Sequence, residues 1–311
     1  MAKSHKGPRS LATPILIAAV ILIFIFTGGS LKATSIRFQN TLYYTRIYTN
    51  TPPEDEIELH IIDVGQGDCA LIRSVYGNIL IDAGISEKEY ELREHLNYCG
   101  IEKIDYFFCS HAHSDHIGGA DMIVQNFEVK NLVLPKTVES SFMLESLIYY
   151  AASAGITPTY AKVGDVYSLG DITVTVLHVG DGYYITNDNS LVLKISFGEM
   201  DFLFTGDISE NVEYLLLDTY GADVLDCEFL KLAHHGSNTS STKHFLDAVS
   251  PYIASASSEK SNEYGHPRGE VLRRLELAGC EHVLRTDRMG TCVVRANKDG
   301  IRYVLLHDIY G

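Results

Sequence analysis

SHAHSDHIGG, residues Ser110 to Gly119, puts four potential metal ligands within six positions: His111, His113, Asp115 and His116. They follow YFFCS (Tyr106 to Ser110), an aromatic, apolar run that predicts a strand. They precede a Gly-Gly pair at the start of a predicted helix over 118–126. A helix would spread these side chains around its circumference, whereas a loop leaving a strand end can turn them into one cavity. Imidazoles at i and i+2 can share one ion, and a carboxylate and imidazole at i+4 and i+5 can reach a second ion beside it. A polar turn with incidental histidines is the plain alternative, but H-x-H-x-D-H between a strand and Gly-Gly is a much rarer arrangement.

Outward from this segment the chain alternates short apolar runs with helical spacing. Strands are expected at Glu58–Val64, Cys69–Arg73, Asn78–Asp82 and Val129–Leu134, with helices at Glu87–Tyr98 and Ser141–Ala154. The second half repeats the pattern. Its expected strands are Asp171–His178, Leu191–Phe197, Phe202–Thr205 and Phe229–Ala233, and its helices Ser209–Thr219, Thr242–Val249 and Glu270–Ala278. Strands at Thr291–Arg295 and Ile301–Leu306 close the chain. Two halves of this kind suggest two sheets packed face to face with helices outside.

The first residues differ in character. A basic tail (1–10, with Lys3, Lys6 and Arg9) precedes the uncharged run Leu11–Gly29, and a spacer follows over 30–56 before the folded region 57–311. At about 1.5 Å per helical residue that run can cross a hydrocarbon core of about 30 Å. The basic flank places the tail in the cytoplasm and the rest outside the cell. An uncleaved transmembrane helix is the expectation, with a cleaved secretory signal as the alternative. The net charge of −15 disfavours an extended nucleic-acid-binding surface, which needs Lys and Arg to neutralise phosphates. The six cysteines include no C-x-x-C pair and sit in apolar contexts, so buried thiols are expected.

HAHSDH resembles the signature of the metallo-β-lactamase-fold hydrolases, and the likeness runs from about Ile57 to the end of the chain. DVGQGD (Asp63–Asp68), ILIDAG (Ile79–Gly84), FTGD (Phe204–Asp207), HHGS (His234–Ser237) and YGHP (Tyr264–Pro267) narrow it to the outer domain of the ComEC-type competence proteins and their stand-alone relatives. The resemblance implies an αββα sandwich of two packed mixed β-sheets with helices outside. It implies two divalent metal ions, zinc or manganese. His111 and His113 would hold the first, Asp115 and His116 the second, and Asp207 would bridge them. His234 or His235 would complete the second site, and Asp82 would support the ligands from behind. Where many relatives have a further histidine on the first metal, this chain reads NDNSLVL (Asn187–Leu193), so Asn187 or Asn189 takes that place. His178, the nearest histidine, ends an earlier strand. An amide oxygen is a weaker ligand than imidazole and suits harder ions, so the first site is expected either to be weak or to prefer manganese to zinc.

Two ions about 3.5 to 4 Å apart lower the pKa of a water between them, so no serine or cysteine nucleophile is required. Asp115 or Asp207 would orient that water. HHGSNTSST places small hydroxyl residues before the helix at Thr242, a natural cap and a potential anion site. His266 in YGHPR is expected to act on substrate; Arg268 stands where relatives often have a second histidine. The expected function is phosphodiester hydrolysis, with single-stranded DNA the substrate that the resemblance implies. A cell-wall or lipid phosphodiester such as a phosphorylcholine ester is the alternative substrate. A membrane-anchored binding module with a degenerate metal site is the non-enzymatic alternative. The multi-span channel region of the competence protein has no counterpart in these residues, so a hydrolase rather than an uptake channel is expected.

Overall fold

A computed structural model describes residues 51–136, 141–180 and 186–305. The expected basic tail and membrane helix, and the spacer up to residue 50, lie outside the described residues. Among those described, no helix is long and apolar enough to cross a membrane.

The first strand, Glu56–Ile61, shows how the sequence builds the sandwich. Side chains alternate between the two faces of a strand. Ile57, Leu59 and Ile61 enter the main apolar core, while Glu56, Glu58 and His60 point the other way and are also buried. Both faces are therefore covered. Eight strands form the first sheet, in the order Gly300–Leu305, Cys292–Asn297, Glu56–Ile61, Ala70–Ser74, Gly77–Ile81, Tyr106–Phe108, Leu132–Leu134 and Thr159–Tyr160. Seven form the second: His282–Arg285, Ile253–Ala256, Phe229–Lys231, Met200–Phe204, Val192–Phe197, Ile172–His178 and Val166–Leu169. Each sheet mixes parallel and antiparallel pairs. Ile72, Ile79 and Phe108 of the first sheet share one core with Val174, Ile195, Phe202 and Phe229 of the second. The other face of the second sheet packs Leu203, Leu230 and Ala254 against the helices Glu210–Leu225, Lys243–Val249 and Gly269–Leu277. The expected two-sheet sandwich with helices outside is the observed architecture.

Several boundaries differ from expectation. The closing hairpin joins the first sheet, pairing Glu56–Ile61 with Cys292–Asn297, rather than extending the second half. The expected strand Val129–Leu134 is divided: Glu128–Val129 pairs with Lys103–Ile104 in a small separate sheet, and only Leu132–Leu134 joins the large one. The expected helix Ser209–Thr219 runs to a kink at Gly221, whose φ of 67° and ψ of −177° are not helical, and a second short helical stretch follows to Leu225. Strands Ile253–Ala256 and His282–Arg285 were not anticipated; each is four residues long, and IASA has only one β-branched residue, Ile253, and no aromatic one to announce a strand. All six cysteines are free thiols, five of them buried.

The fold places chemistry at strand ends. Gly77–Ile81 and Tyr106–Phe108 run parallel and lead into Asp82 and the histidine segment. Met200–Phe204 and Phe229–Lys231 also run parallel and lead into Asp207 and the His234–His235 pair. Open α/β sheets bind ligands at such carboxyl ends.

Candidate metal centre

After Phe108 the chain leaves the sheet, and Ser114–Ile117 forms a single helical turn entered through His113. One turn, rather than the plain loop expected, carries Asp115 and His116, while His111 and His113 precede it. The segment is fastened to both earlier motifs. Asp68 N–H donates to the Asp115 carbonyl, Ala83 N–H to the His116 carbonyl, and Gly84 bridges to Ile117. Gly67 is required here, because a Cβ at that position would collide with the Asp115 carbonyl. Asp82 holds the segment from behind. Its carboxylate accepts the Ser110 N–H at 2.6 Å and the Ser110 hydroxyl at 2.7 Å, and lies 2.9 Å from His116 Nδ1. The supporting place expected for Asp82 is thus the place it occupies.

Two groups of donor atoms result. Asp115, His116, Asp207 and His235 each offer an atom within 4.8 Å of the others, and so do His111, His113 and Asp207. Only Asp207 belongs to both. Its Oδ1 lies 3.2 Å from His116 Nε2, and its Oδ2 lies 3.7 Å from His235 Nε2 and 3.9 Å from His111 Nε2. His235 Nε2 is 3.2 Å from Asp115 Oδ2, and His111 Nε2 is 3.0 Å from His113 Nδ1. Of the adjacent histidines, His235 enters the donor group and is buried. His234 reaches only 4.0 Å from Asp207, and its side chain is 30% exposed. Strand alternation does not separate them. Both sit in a short turn with left-handed φ of 49° and 55°, and that turn aims one inward and one toward the opening.

The third-motif segment reaches the site through Ser190 rather than through an imidazole. Ser190 Oγ accepts the Asp207 N–H at 3.0 Å, donates to the Asn187 carbonyl at 2.7 Å and lies 3.3 Å from His111 Nδ1. Asn187 therefore meets the site through its backbone. Asn189 is buried, and its Oδ1 has no hydrogen-bond partner. His178 lies 3.0 Å from the Asp188 carbonyl and is absent from both donor groups.

The donors fit cations. Buried polar atoms are ordinarily paired, yet Asn189 Oδ1 is buried with no hydrogen bond, and His116 Nε2 and Asp207 Oδ1 have no partner but each other, 3.2 Å apart. Imidazole nitrogens and carboxylate oxygens crowded within 4.8 Å of one another in each buried group are a donor set that a divalent cation satisfies. Burial works against a charged Asp115, but the His235 contact outweighs it and holds the carboxyl down at about 2. Burial likewise opposes a charged Asp207, and the neighbouring His116 and His235 hold it well below the usual range. Both carboxylates are ionised at neutral pH. His235 is raised to about 9 against its burial, chiefly by Asp207 and Asp68.

The sequence between residues 62 and 253 matches the model of the Metallo-beta-lactamase superfamily. The chain belongs to that superfamily. Its members are generally metal-dependent hydrolases, and the fold implies divalent-metal binding in keeping with the donor groups above. The chain is 31% identical to ComE operon protein 3 of Bacillus subtilis over 90% of its own length, and 28% identical to competence protein ComA of Neisseria gonorrhoeae over 93%. It spans 40% of the length of each of these proteins. Among solved structures, the metallo-beta-lactamase fold protein YhfI of Bacillus subtilis superposes with a TM-score of 0.52 at 12% identity, over 80% of this chain and 100% of that one. CmlA, a diiron beta-hydroxylase from Streptomyces venezuelae, gives 0.52 at 14% identity, over 92% and 59%. These two likenesses concern the fold alone.

Around the metallo-beta-lactamase centre lie further residues of the other motifs. Asp68, from DVGQGD, lies 3.2 Å from His235 Nδ1, and its other oxygen is 2.6 Å from Lys231 Nζ. It stands to His235 as Asp82 stands to His116. At the opening, the His266 ring lies 5.7 Å from His234 and 6.3 Å from His235, with Tyr264 stacked beside it at 5.7 Å and half exposed. Burial and the two histidines push the His266 pKa down to about 4, so it is neutral at pH 7. Arg268 is exposed to solvent.

One expectation is overturned. Thr242 does cap its helix, accepting the Phe245 N–H at 3.3 Å. The anion at that helix end, however, is internal: the buried Glu213 carboxylate takes the N–H groups of Ser241, at 2.5 Å, and Thr242, at 2.8 Å. No room for a substrate phosphate is left there, because the protein supplies its own carboxylate.

Proposed function

We propose that the chain is a two-metal phosphodiesterase held outside the cell by its N-terminal apolar run. The observation that carries this reading is Asp207, which belongs both to the donor group of Asp115, His116 and His235 and to that of His111 and His113. His111, His113, Asp207 and Asn189 would hold one ion, and Asp115, His116, Asp207 and His235 the other. Two such ions supply an activated water at neutral pH and polarise the substrate oxygens. Asp115, ionised and beside His235, orients the attacking water and takes its proton. His266, neutral at pH 7 and at the opening, donates a hydrogen bond to a phosphoryl oxygen, with His234 beside it.

Support for a phosphodiester comes from the competence proteins among the relatives. Competence is a process on DNA, and the DNA backbone is a phosphodiester. Single-stranded DNA is the leading substrate, and the net charge of −15 favours a small cell-wall or lipid phosphodiester as the second reading.

Hydrolysis of bis-p-nitrophenyl phosphate is the test, run with manganese and with zinc. Wild type should be active, faster with manganese because of Asn189. Asp115→Ala and His116→Ala should lose more than the roughly 10- to 100-fold that the loss of an outer partner costs. Equal rates in wild type and both variants would overturn the two-metal mechanism. Parallel assays on single-stranded DNA and a phosphorylcholine ester then separate the two substrates. The anchored topology predicts that protease added to intact cells degrades the folded region while it sediments with membranes. Full protection from protease would refute that topology.

A further inference from the structure

On the outer face of the first sheet, His60 lies between Glu58 on its own strand and the helix Glu89–Tyr98. His95 and Cys99 are i and i+4, one helical turn apart, so both stand on the side that meets the sheet. His60 Nδ1 is 3.1 Å from His95 Nε2, and the Cys99 sulfur is 3.9 Å from the first and 3.6 Å from the second. His60 and Cys99 are buried, and His95 is half-buried. This group shares no residue with the metallo-beta-lactamase centre.

The three distances form a triangle containing a point about 2.1 Å from every corner, against roughly 2.0–2.1 Å for zinc to imidazole and about 2.3 Å for zinc to thiolate. A hydrogen bond between neutral rings accounts for the His60–His95 contact alone. It does not explain why a thiol closes the triangle. A metal-bound imidazole characteristically turns its other ring nitrogen toward a carboxylate. His60 Nε2 faces Glu58 Oε2 at 3.5 Å, and Glu58 is fixed in turn by Arg73 at 2.7 Å and Arg295 at 2.5 Å.

We propose that His60, His95 and Cys99 form a second metal site, for a borderline-soft divalent cation of the zinc class, which clips the helix Glu89–Tyr98 to the first sheet. Thiolate with two imidazoles is a donor set for such ions, unlike the other centre, whose donors are imidazoles and carboxylates with no thiolate. Binding releases the Cys99 thiol proton to solvent on the half-exposed His95 side, where a water completes the fourth position.

Cobalt(II) reports the site through its thiolate charge-transfer band in the near ultraviolet, because the catalytic donor groups contain no cysteine. Full-length protein freed of metal with a chelator should develop that band on cobalt addition and lose it when zinc is added. Cys99→Ser should lack the band while binding the remaining cobalt as before. Mass-spectrometric mapping of alkylated cysteines gives an independent readout, with zinc protecting Cys99 in the wild type. Folded wild-type protein that takes up cobalt without the thiolate band would overturn the site. A band retained in Cys99→Ser, or Cys99 alkylated equally with and without zinc, would do the same.

Discussion

At the scale of single residues, the candidate centre is a set of buried donors, each held by a partner. Asp82 orients His116 and Asp68 orients His235, so the two imidazoles of one donor group are fixed by carboxylates from different motifs. Asp68→Asn should therefore lower metal affinity or turnover about 10- to 100-fold, as measured by metal titration and kcat/KM on the folded variant, and should also cost stability because buried Lys231 loses its counter-charge. The adjacent histidines should separate cleanly. His235→Ala should lose one equivalent of bound metal, whereas His234→Ala should keep wild-type metal content and lose rate. Equal metal content in the two variants would refute the distinction. HAHSDH was legible because its four donors are neighbours in the chain. The Asp68–His235 contact was not, since 167 residues separate its partners. Nor was the choice between His234 and His235, which depends on a left-handed turn that residue types do not announce.

Among the elements, the helix at Lys243–Val249 carries the clearest departure from expectation. Its N-terminus was legible from Thr242, but the ligand of that N-terminus comes from another helix, which no local pattern reveals. Burial raises the Glu213 carboxyl from 4.5 to about 7, against the Ser241 and Thr242 N–H groups that favour its charge. A carboxyl raised on folding gives a contribution that is full below its ordinary value and lost as pH rises through its folded value. Wild type should therefore lose stability between about pH 5 and pH 7, by no more than about 3 kcal/mol from this group. Glu213→Gln should flatten that part of the profile, as checked by urea denaturation at several pH values. Parallel wild-type and variant profiles would contradict the assignment. The strands Ile253–Ala256 and His282–Arg285 stayed illegible for a related reason. Both are short, and partners on either side of a sheet position them more than their own residues do.

For the whole molecule, the two-sheet architecture was legible because alternation and apolar runs mark most of the strands. The assignment of the last hairpin to the first sheet was not, because pairing over so long a separation leaves no local trace. That pairing is reinforced by ions: Arg295 meets Glu58 at 2.5 Å, and Arg302 meets Glu56 at 2.6 Å. Arg295→Ala removes one partner of the buried Glu58 but leaves Arg73 at 2.7 Å, so it should destabilise the protein by about 1.5 to 3 kcal/mol, the worth of a hydrogen bond to a charged group, seen as a lower denaturation midpoint. A change within about 0.5 kcal/mol, as at ordinary surface positions, would show the pair to be dispensable. The same pairing also sets an order of events in biosynthesis. Chains are made from the N-terminus at about 5 to 20 residues per second, so Glu56–Ile61 waits for Cys292–Asn297 while the intervening residues are added. Until the final hairpin emerges, the first strand has an unsatisfied edge exposed to any other extended chain nearby. Nascent chains stalled shortly before Cys292 are accordingly the stage at which this protein is most open to mispairing and most dependent on chaperones.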